Sequence, residues 1–290
     1  FISVYSCSIS PRHALHKVQF AAESWHNTQR CLPKKWRKTE SLLMRYPVKK
    51  IYLIHGWAAN RHIFNDLIKR LPSSWQVESL DLPGHGNTPT LAIFNIIDVA
   101  DKLAEMIDDN AYVLGWSLGG LVALYMAARH PQKINALCLT ASFAKFQATP
   151  DYPEGLSKPA LAKMIALFQQ DYSKHMRQFL QLQFLYAQDQ HSTLESVLPD
   201  ILKQGVPVAL EEALDAVNDS DARDLLPQIS APVLLIFGAK DSITPPRMGE
   251  YLNRHLPHSE LYIIDKAAHA PFLSQASEFA SLLSDFFERH

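Results

Sequence analysis

Cysteine is scarce in this chain of 290 residues, with three in all: Cys7, Cys31 and Cys138. An odd number at wide spacing argues against a disulfide framework, and without a CxxC pair a structural zinc has no evident ligand set. No apolar run approaches the roughly 20 residues needed to span a bilayer. Net charge is nearly absent: 28 Lys and Arg against 29 Asp and Glu leave −1, so bulk charge would not hold the molecule on nucleic acid. Internal repeats and low-complexity tracts are missing. What is present is an apolar share of 47%, enough to fill a sizeable core in one large domain or two small ones. A soluble, cytoplasmic monomer of a reducing compartment is expected, with no metal, no cofactor and no membrane contact.

The small net charge hides an asymmetry. Residues 1–50 hold ten Lys and Arg against two acids, Glu23 and Glu40. The stretch 1–45 has no strong periodicity, starts at Phe1 and carries the polar clusters of an extension, expected to be disordered or non-native. Its Arg and Ser content also fits a transit peptide. Met44, just before the first convincing strand, is the alternative start, and residues 1–43 are expected to be dispensable. His13 and His16 alone are too little to read as a metal site.

Beyond it, strand-like and helix-like stretches alternate. Short apolar runs at Lys50–His55, Val77–Leu82, Ala111–Leu114, Ala136–Thr140, Pro232–Phe237 and Glu260–Ile264 read as buried strands. Helical spacing follows around Ile63, Leu67, Ile68 and Leu71, then over Leu91–Ile107, Gly120–Arg129 and Glu278–Arg289. This alternation implies βαβ units and a mostly parallel sheet flanked by helices. The rhythm breaks between about Lys145 and Leu226. There, helical runs at Leu161–Gln170, Tyr172–Tyr186, Leu194–Lys203 and Val208–Ala216 are punctuated by prolines, which reads as an all-helical insertion between two sheet strands. The expected layout is a core of 46–144 and 227–290 with a helical segment 145–226.

Gly115-Trp116-Ser117-Leu118-Gly119 fits G-x-S-x-G, and it lies between the strand AYVL and the apolar helix GLVALYMAA. A serine hydroxyl is a weak nucleophile that needs a base beside it, and a sharp strand-to-helix turn exposes its oxygen. The motif's usual chain order places the acid and then the histidine after the serine. Asp241 follows the strand VLLIFG and His269 follows LYII, so all three residues fall at carboxyl ends of parallel strands, where open α/β sheets keep their sites. An Asx-turn role for Asp241 and a plain loop role for His269 are the competing readings. No acid directly follows ALCLT, which removes the usual rival. His55-Gly56-Trp57 follows the first strand, where the backbone N–H of Trp57 can serve an oxyanion hole together with that of Leu118. The Trp57 ring would wall the pocket. His55 is expected to stabilise its loop, and Asp81–Gly86 to be a structural turn.

The wording HGW, DLPGHG, GWSLGG, GAKDSITP and KAAHAPF resembles α/β-hydrolases, and GWSLGGLVA, PHSELYII and KAAHAPFLSQASEF are similar to the BioH-type pimeloyl-[acyl-carrier-protein] methyl ester carboxylesterases of biotin synthesis. The resemblance covers about 48–290. It implies an α/β-hydrolase fold with the helical insertion as a lid, and a serine carboxylesterase with Ser117 as nucleophile, Asp241 as orienting acid, His269 as base, and Trp57 and Leu118 as oxyanion donors. Phe179-Leu180-Gln181-Leu182-Gln183 matches the family's substrate-lining FLxLQ, although spacing alone makes it an amphipathic helix. Phe143, Phe146, Phe168, Phe179, Leu182 and Phe184 would line an acyl channel. The implied partner is an acyl carrier protein. Here the sequence departs from the family, whose lid arginines meet that acidic partner: the aligned positions hold Lys174, Gln178, His191 and Glu195, with Arg177 one place away. Docking would then fall to Lys174, Arg177 and Lys203. Other lid-bearing hydrolases (short-chain esterases, C–C bond hydrolases, a menaquinone-pathway lyase) and a non-catalytic hydrolase-fold receptor are the alternatives. A dehalogenase or epoxide hydrolase would carry Asp in place of Ser117.

Overall fold

Residues with apolar side chains on both pleat faces need cover on both sides, and that requirement organises the sheet. In the computed structural model, which describes residues 48–183 and 190–290, β1 (Lys50–Ile54), β2 (Gln76–Leu80), β3 (Ala111–Trp116), β4 (Ile134–Thr140), β5 (Val233–Gly238) and β6 (Ser259–Ile264) form one sheet. Its order is β2-β1-β3-β4-β5-β6, and every pairing is parallel. The expected basic extension 1–45 and the expected channel residue Phe184 lie outside the described residues. β3 and β5 are buried at every position, whereas the edge strands β2 and β6 keep exposed ones.

Side chains alternate across the pleat with period two. Tyr52, Ile54, Val113, Leu137, Leu139, Leu235 and Phe237 pack on one face, against α2 (Ile96–Met106), α3 (Leu118–Arg129) and α8 (Pro246–His255). Ile51, Leu53, Leu114, Cys138, Leu234 and Ile236 pack on the other, against α1 (Asn65–Ile68), α9 (Pro271–Ser274) and α10 (Ala276–Arg289). The result is a three-layer α/β core. The strand order reverses between β1 and β3, and the crevice at the carboxyl ends of such a switch point is where open sheets take ligands.

Between β4 and β5 the chain leaves the sheet and forms α4 (Lys158–Gln170), α5 (Tyr172–Gln183), α6 (Gln190–Leu202) and α7 (Leu210–Asp219). Polar contacts clamp its two stems together. Lys145 bridges to Asp221 at 2.9 Å, and Arg223 reaches both Asp221 at 2.7 Å and Asp151 at 2.8 Å. Against the opposing effect of its partial burial, the Arg223 and Lys145 bonds hold the Asp221 carboxyl at about 2, below the usual carboxylate range. No helix among the described residues is long and apolar enough to cross a membrane.

Most element ends fall within two or three residues of the sequence expectation. Helices α2 and α6 are exceptions: α6 starts at Gln190 rather than Leu194, and α2 starts at Ile96 rather than Leu91, because Asn95 adopts an extended backbone and its side chain accepts from Asp98 N–H at 2.9 Å, a helix N-cap. Replacing this cap should cost about 1 kcal/mol. Asn95→Ala is therefore expected to lower the thermal midpoint by about 2–4 °C. An unchanged melt would show that the cap does not set this boundary.

Candidate active site

The turn after β3 forces Ser117 into φ 54° and ψ −117°, a sparsely populated conformation for a residue with a side chain. A backbone of this kind costs roughly 1–3 kcal/mol and persists only when its surroundings over-determine it. Here they do. Ser117 N–H donates to Thr140 O at 3.0 Å, while Ser117 O accepts from Gly120 N–H, Leu121 N–H and, at 3.1 Å, Ser142 Oγ. The two flanking glycines are a steric requirement. A Cβ on Gly119 would run into the carbonyls of Ile54 and His55, and one on Gly115 would lie 2.5 Å from Gly119 O. Leu118 opens α3, so its N–H is among the helix donors that have no partner in the preceding turn.

Asp241 and His269 stand on the loops after β5 and β6, and these loops are bonded to each other. Lys240 N–H donates to Ala267 O at 2.9 Å, and Ala239 N–H to Ile264 O at 3.0 Å. His269 Nδ1–H donates to Asp241 Oδ2 at 2.9 Å, with both residues buried. A carboxylate only accepts, so the proton sits on Nδ1 and leaves Nε2 as the free lone pair. The other carboxylate oxygen, Oδ1, accepts Ile243 N–H at 2.8 Å and Thr244 N–H at 3.0 Å. Trp116 fixes the histidine loop from below, its indole N–H donating to His269 O at 2.8 Å.

The loop after β1 comes to the same crevice. A Cβ on Gly56 would lie 3.1 Å from Ser117 Cβ, so His55-Gly56-Trp57 passes directly beside the serine. Three bonds tie this loop to the helical insertion: Trp57 Nε1–H to Leu210 O at 2.6 Å, Tyr172 Oη–H to Ala58 O at 2.8 Å, and Asn60 Nδ2–H to Ile201 O at 3.1 Å. His55 braces the loop internally. Its Nδ1–H donates to Gly56 O at 2.8 Å and its Nε2 accepts Leu82 N–H at 3.0 Å. Full burial pushes His55 down to about 4 and its neighbour His85 down to about 3, so both rings are neutral at physiological pH.

The matches to known proteins agree with this geometry. Residues 49–276 match the family described as alpha/beta hydrolase fold. The chain is 58% identical over 252 residues to the pimeloyl-[acyl-carrier protein] methyl ester esterase of Neisseria meningitidis serogroup C, covering 87% of this chain and 98% of that protein. It is 34% identical over 238 residues to the protein of the same name from Chromobacterium violaceum, with 82% and 94% covered. The chain belongs to the α/β-hydrolase family and, within it, to the pimeloyl-[acyl-carrier protein] methyl ester esterases. Among solved structures, an esterase from Exiguobacterium antarcticum superposes with a TM-score of 0.74 at 23% identity, covering 83% of this chain and 92% of that one, a likeness of fold alone.

In this esterase-family chain, Ser117 and His269 open onto one cavity whose other walls are apolar. Phe143, Phe146, Phe168 and Phe179 line it, as do Trp57 and Leu118. Trp116, Met176, Leu214, Val217 and Ile243 complete it. The FLxLQ segment divides. Phe179 faces the cavity, Leu180 is buried in the core beneath, Gln181 and Leu182 are exposed, and Gln183 is buried with its Nε2–H on Phe179 O at 3.1 Å. Lys174, Arg177 and Lys203 are exposed, and Arg177 is paired with Glu195 at 2.9 Å. Thr244 and Ser142 brace the site without a signal of their own in the sequence, although Thr244 lies inside GAKDSITP.

His55 and His85, buried and neutral, weaken the fold in acid. In the unfolded chain they gain protons below about pH 6.5, whereas in the folded chain they stay neutral down to about 4 for His55 and about 3 for His85. The unfolded state therefore holds more protons across this window, and stability present above pH 6.5 is lost as the pH falls. The thermal midpoint should drop progressively below pH 6.5. His85→Phe should flatten that slope by up to about one proton, because His85 Nε2 has no partner among the described residues and the ring packs on Phe94. Equal slopes in the two proteins would contradict this.

Proposed function

We propose that the protein is a serine carboxylesterase that hydrolyses the methyl ester of a pimeloyl chain carried on acyl carrier protein, a step of biotin synthesis. The single observation that carries this reading is the 58% identity, over nearly the whole of the relative, to proteins bearing that name. The hydrogen-bonded His269–Asp241 pair beside Ser117 supports it chemically. Ser117 Oγ attacks the ester carbonyl as His269 Nε2 takes its proton, and the oxyanion is received by the backbone N–H groups of Trp57 and Leu118. Asp241 stabilises the imidazolium. His269 then protonates the departing methanol, water attacks the acyl-enzyme with His269 as base, and a free carboxylate leaves. No cofactor takes part.

The apolar walls suit a polymethylene chain, at about 0.8 kcal/mol per buried CH₂. The cavity itself is only about 40 Å³, room for a few water-sized groups and too little for a long acyl chain. An acyl chain therefore enters as Phe168, Met176 and Phe179 move outward, and residues 145–226 act as a lid over the 48–144 and 227–290 core. Lys174, Arg177 and Lys203 on that lid meet the acidic carrier, with Glu195 offsetting part of the charge. The protein acts as a monomer without nucleic acid.

Two expectations test the reading. Ser117→Ala should lower ester turnover by roughly 10³–10⁶-fold without changing the melt, while more than about a tenth of the activity remaining would remove Ser117 from the role. Pimeloyl-carrier methyl ester should be a better substrate than a free short ester, with an advantage that shrinks as salt screens exposed charges. A free ester turned over equally well, or equal salt effects on both, would instead favour a broad short-chain esterase.

A further inference from the structure

Thr244 lies three residues after Asp241 on the same loop and is fully buried. Its hydroxyl oxygen touches three polar groups: Asp241 Oδ2 at 2.7 Å, Ala141 O at 2.9 Å and His269 Nδ1 at 3.1 Å. A hydroxyl has one proton to give and two lone pairs to receive with. The proton has two acceptors within reach. The carboxylate is both nearer and charged, so the charge-assisted bond to Asp241 takes the larger share and Ala141 O the smaller. The remaining contact then has one consistent reading: His269 Nδ1 carries its proton, and a lone pair of the Thr244 oxygen faces it as a second acceptor beside Asp241 Oδ2.

We propose that Thr244 is a positioning residue for the esterase reaction, its hydroxyl locking Asp241 and the Nδ1–H tautomer of His269 together so that Nε2 stays turned to Ser117. This rests on the Ser117–His269–Asp241 reading above. Asp241 Oδ1 is fixed by two backbone N–H groups, but on Oδ2 the Thr244 hydroxyl is the partner besides His269. Without it, the carboxylate keeps its backbone bonds and the fold keeps its loop, while the imidazole loses the second acceptor that confines its rotation. The expected damage is to turnover rather than to substrate binding. The Ala141 contact also joins this loop to the end of β4, the segment from which Ser142 holds Ser117 O.

The test is steady-state kinetics on a short p-nitrophenyl ester, with thermal melts, for Thr244→Val, Thr244→Ser and Thr244→Ala beside Ser117→Ala. Thr244→Val keeps the shape and removes the hydroxyl; Thr244→Ser keeps the hydroxyl and removes the methyl. The expected result is a kcat lowered by about 10- to 100-fold in Thr244→Val with KM changed less than about twofold, and most of kcat recovered in Thr244→Ser. A packing role predicts the reverse order, because valine fills the site and serine leaves a methyl-sized gap. Should Thr244→Val not fold, Thr244→Ala against Thr244→Ser carries the same comparison, differing by one oxygen. A kcat in Thr244→Val within twofold of the parent, or Thr244→Ser as slow as the variant without the hydroxyl, overturns the proposal. If Thr244→Val stays active while Ser117→Ala is dead, only the role of Thr244 falls. If Ser117→Ala stays active, the triad reading falls with it.

Discussion

A serine held at φ 54° between a buried strand and a buried helix is the constraint on which the site depends. The chain must reverse from β3 into α3 within one residue. It can do so only because Gly115 and Gly119, two positions to either side, lack a Cβ that would strike the carbonyls of Ile54 and His55 or the first turn of the helix. The conformation is unfavourable locally and is held by Thr140, Ser142 and the first N–H groups of α3. Its consequence is chemical. The side chain stands out at the carboxyl edge of the sheet, and the next N–H, that of Leu118, stays unspent at the helix start, which is what a nucleophile with an adjacent oxyanion donor requires.

The same edge collects the other loops, and the helical insertion binds them into one unit. Trp57, Ala58 and Asn60 are each tied to an insertion residue by a hydrogen bond of 2.6–3.1 Å. The loop proposed to supply an oxyanion donor is thus positioned partly by the segment that walls the cavity. The insertion also splits its packing. α4 to α6 join the core layer that holds α10, α7 joins the layer that holds α3, and the cavity lies where Phe168, Met176 and Phe179 face Leu214 and Val217. Apolar walls around two polar groups keep water few and make each fixed dipole count for more than it would in solvent.

Much of this was legible because parallel strands buried on both faces read as short apolar runs, and all six observed strands overlap such runs. The helix Pro246–His255 was not, since it is short, mostly polar, and buries only Met248, Gly249 and Leu252 behind a proline start. The start of α2 is hidden for a different reason: Leu91 and Phe94 continue the apolar pattern, and only the cap geometry of Asn95 shows where the helix begins. Asp241 and His269 could be chosen by their places after strands, and they are hydrogen-bonded in the fold. The phase of Phe179–Gln183 could not be chosen, because an amphipathic helix in sequence does not say which of its apolar residues meets the cavity and which the core. Leu214, Val217 and Ile243 come to the cavity by tertiary packing, which leaves no local signal. Thr244 stood in view within GAKDSITP, but its role depends on a hydroxyl reaching across to His269.

The central claim is that Ser117 forms the acyl-enzyme, and the most direct measurement is acid-quench mass spectrometry of the enzyme caught during turnover of a slow p-nitrophenyl ester. One acyl group per chain should appear, on the peptide containing Ser117, together with a stoichiometric burst of p-nitrophenol. Acyl transfer to another residue, or steady turnover with neither label nor burst on a substrate whose deacylation is rate-limiting, would contradict it.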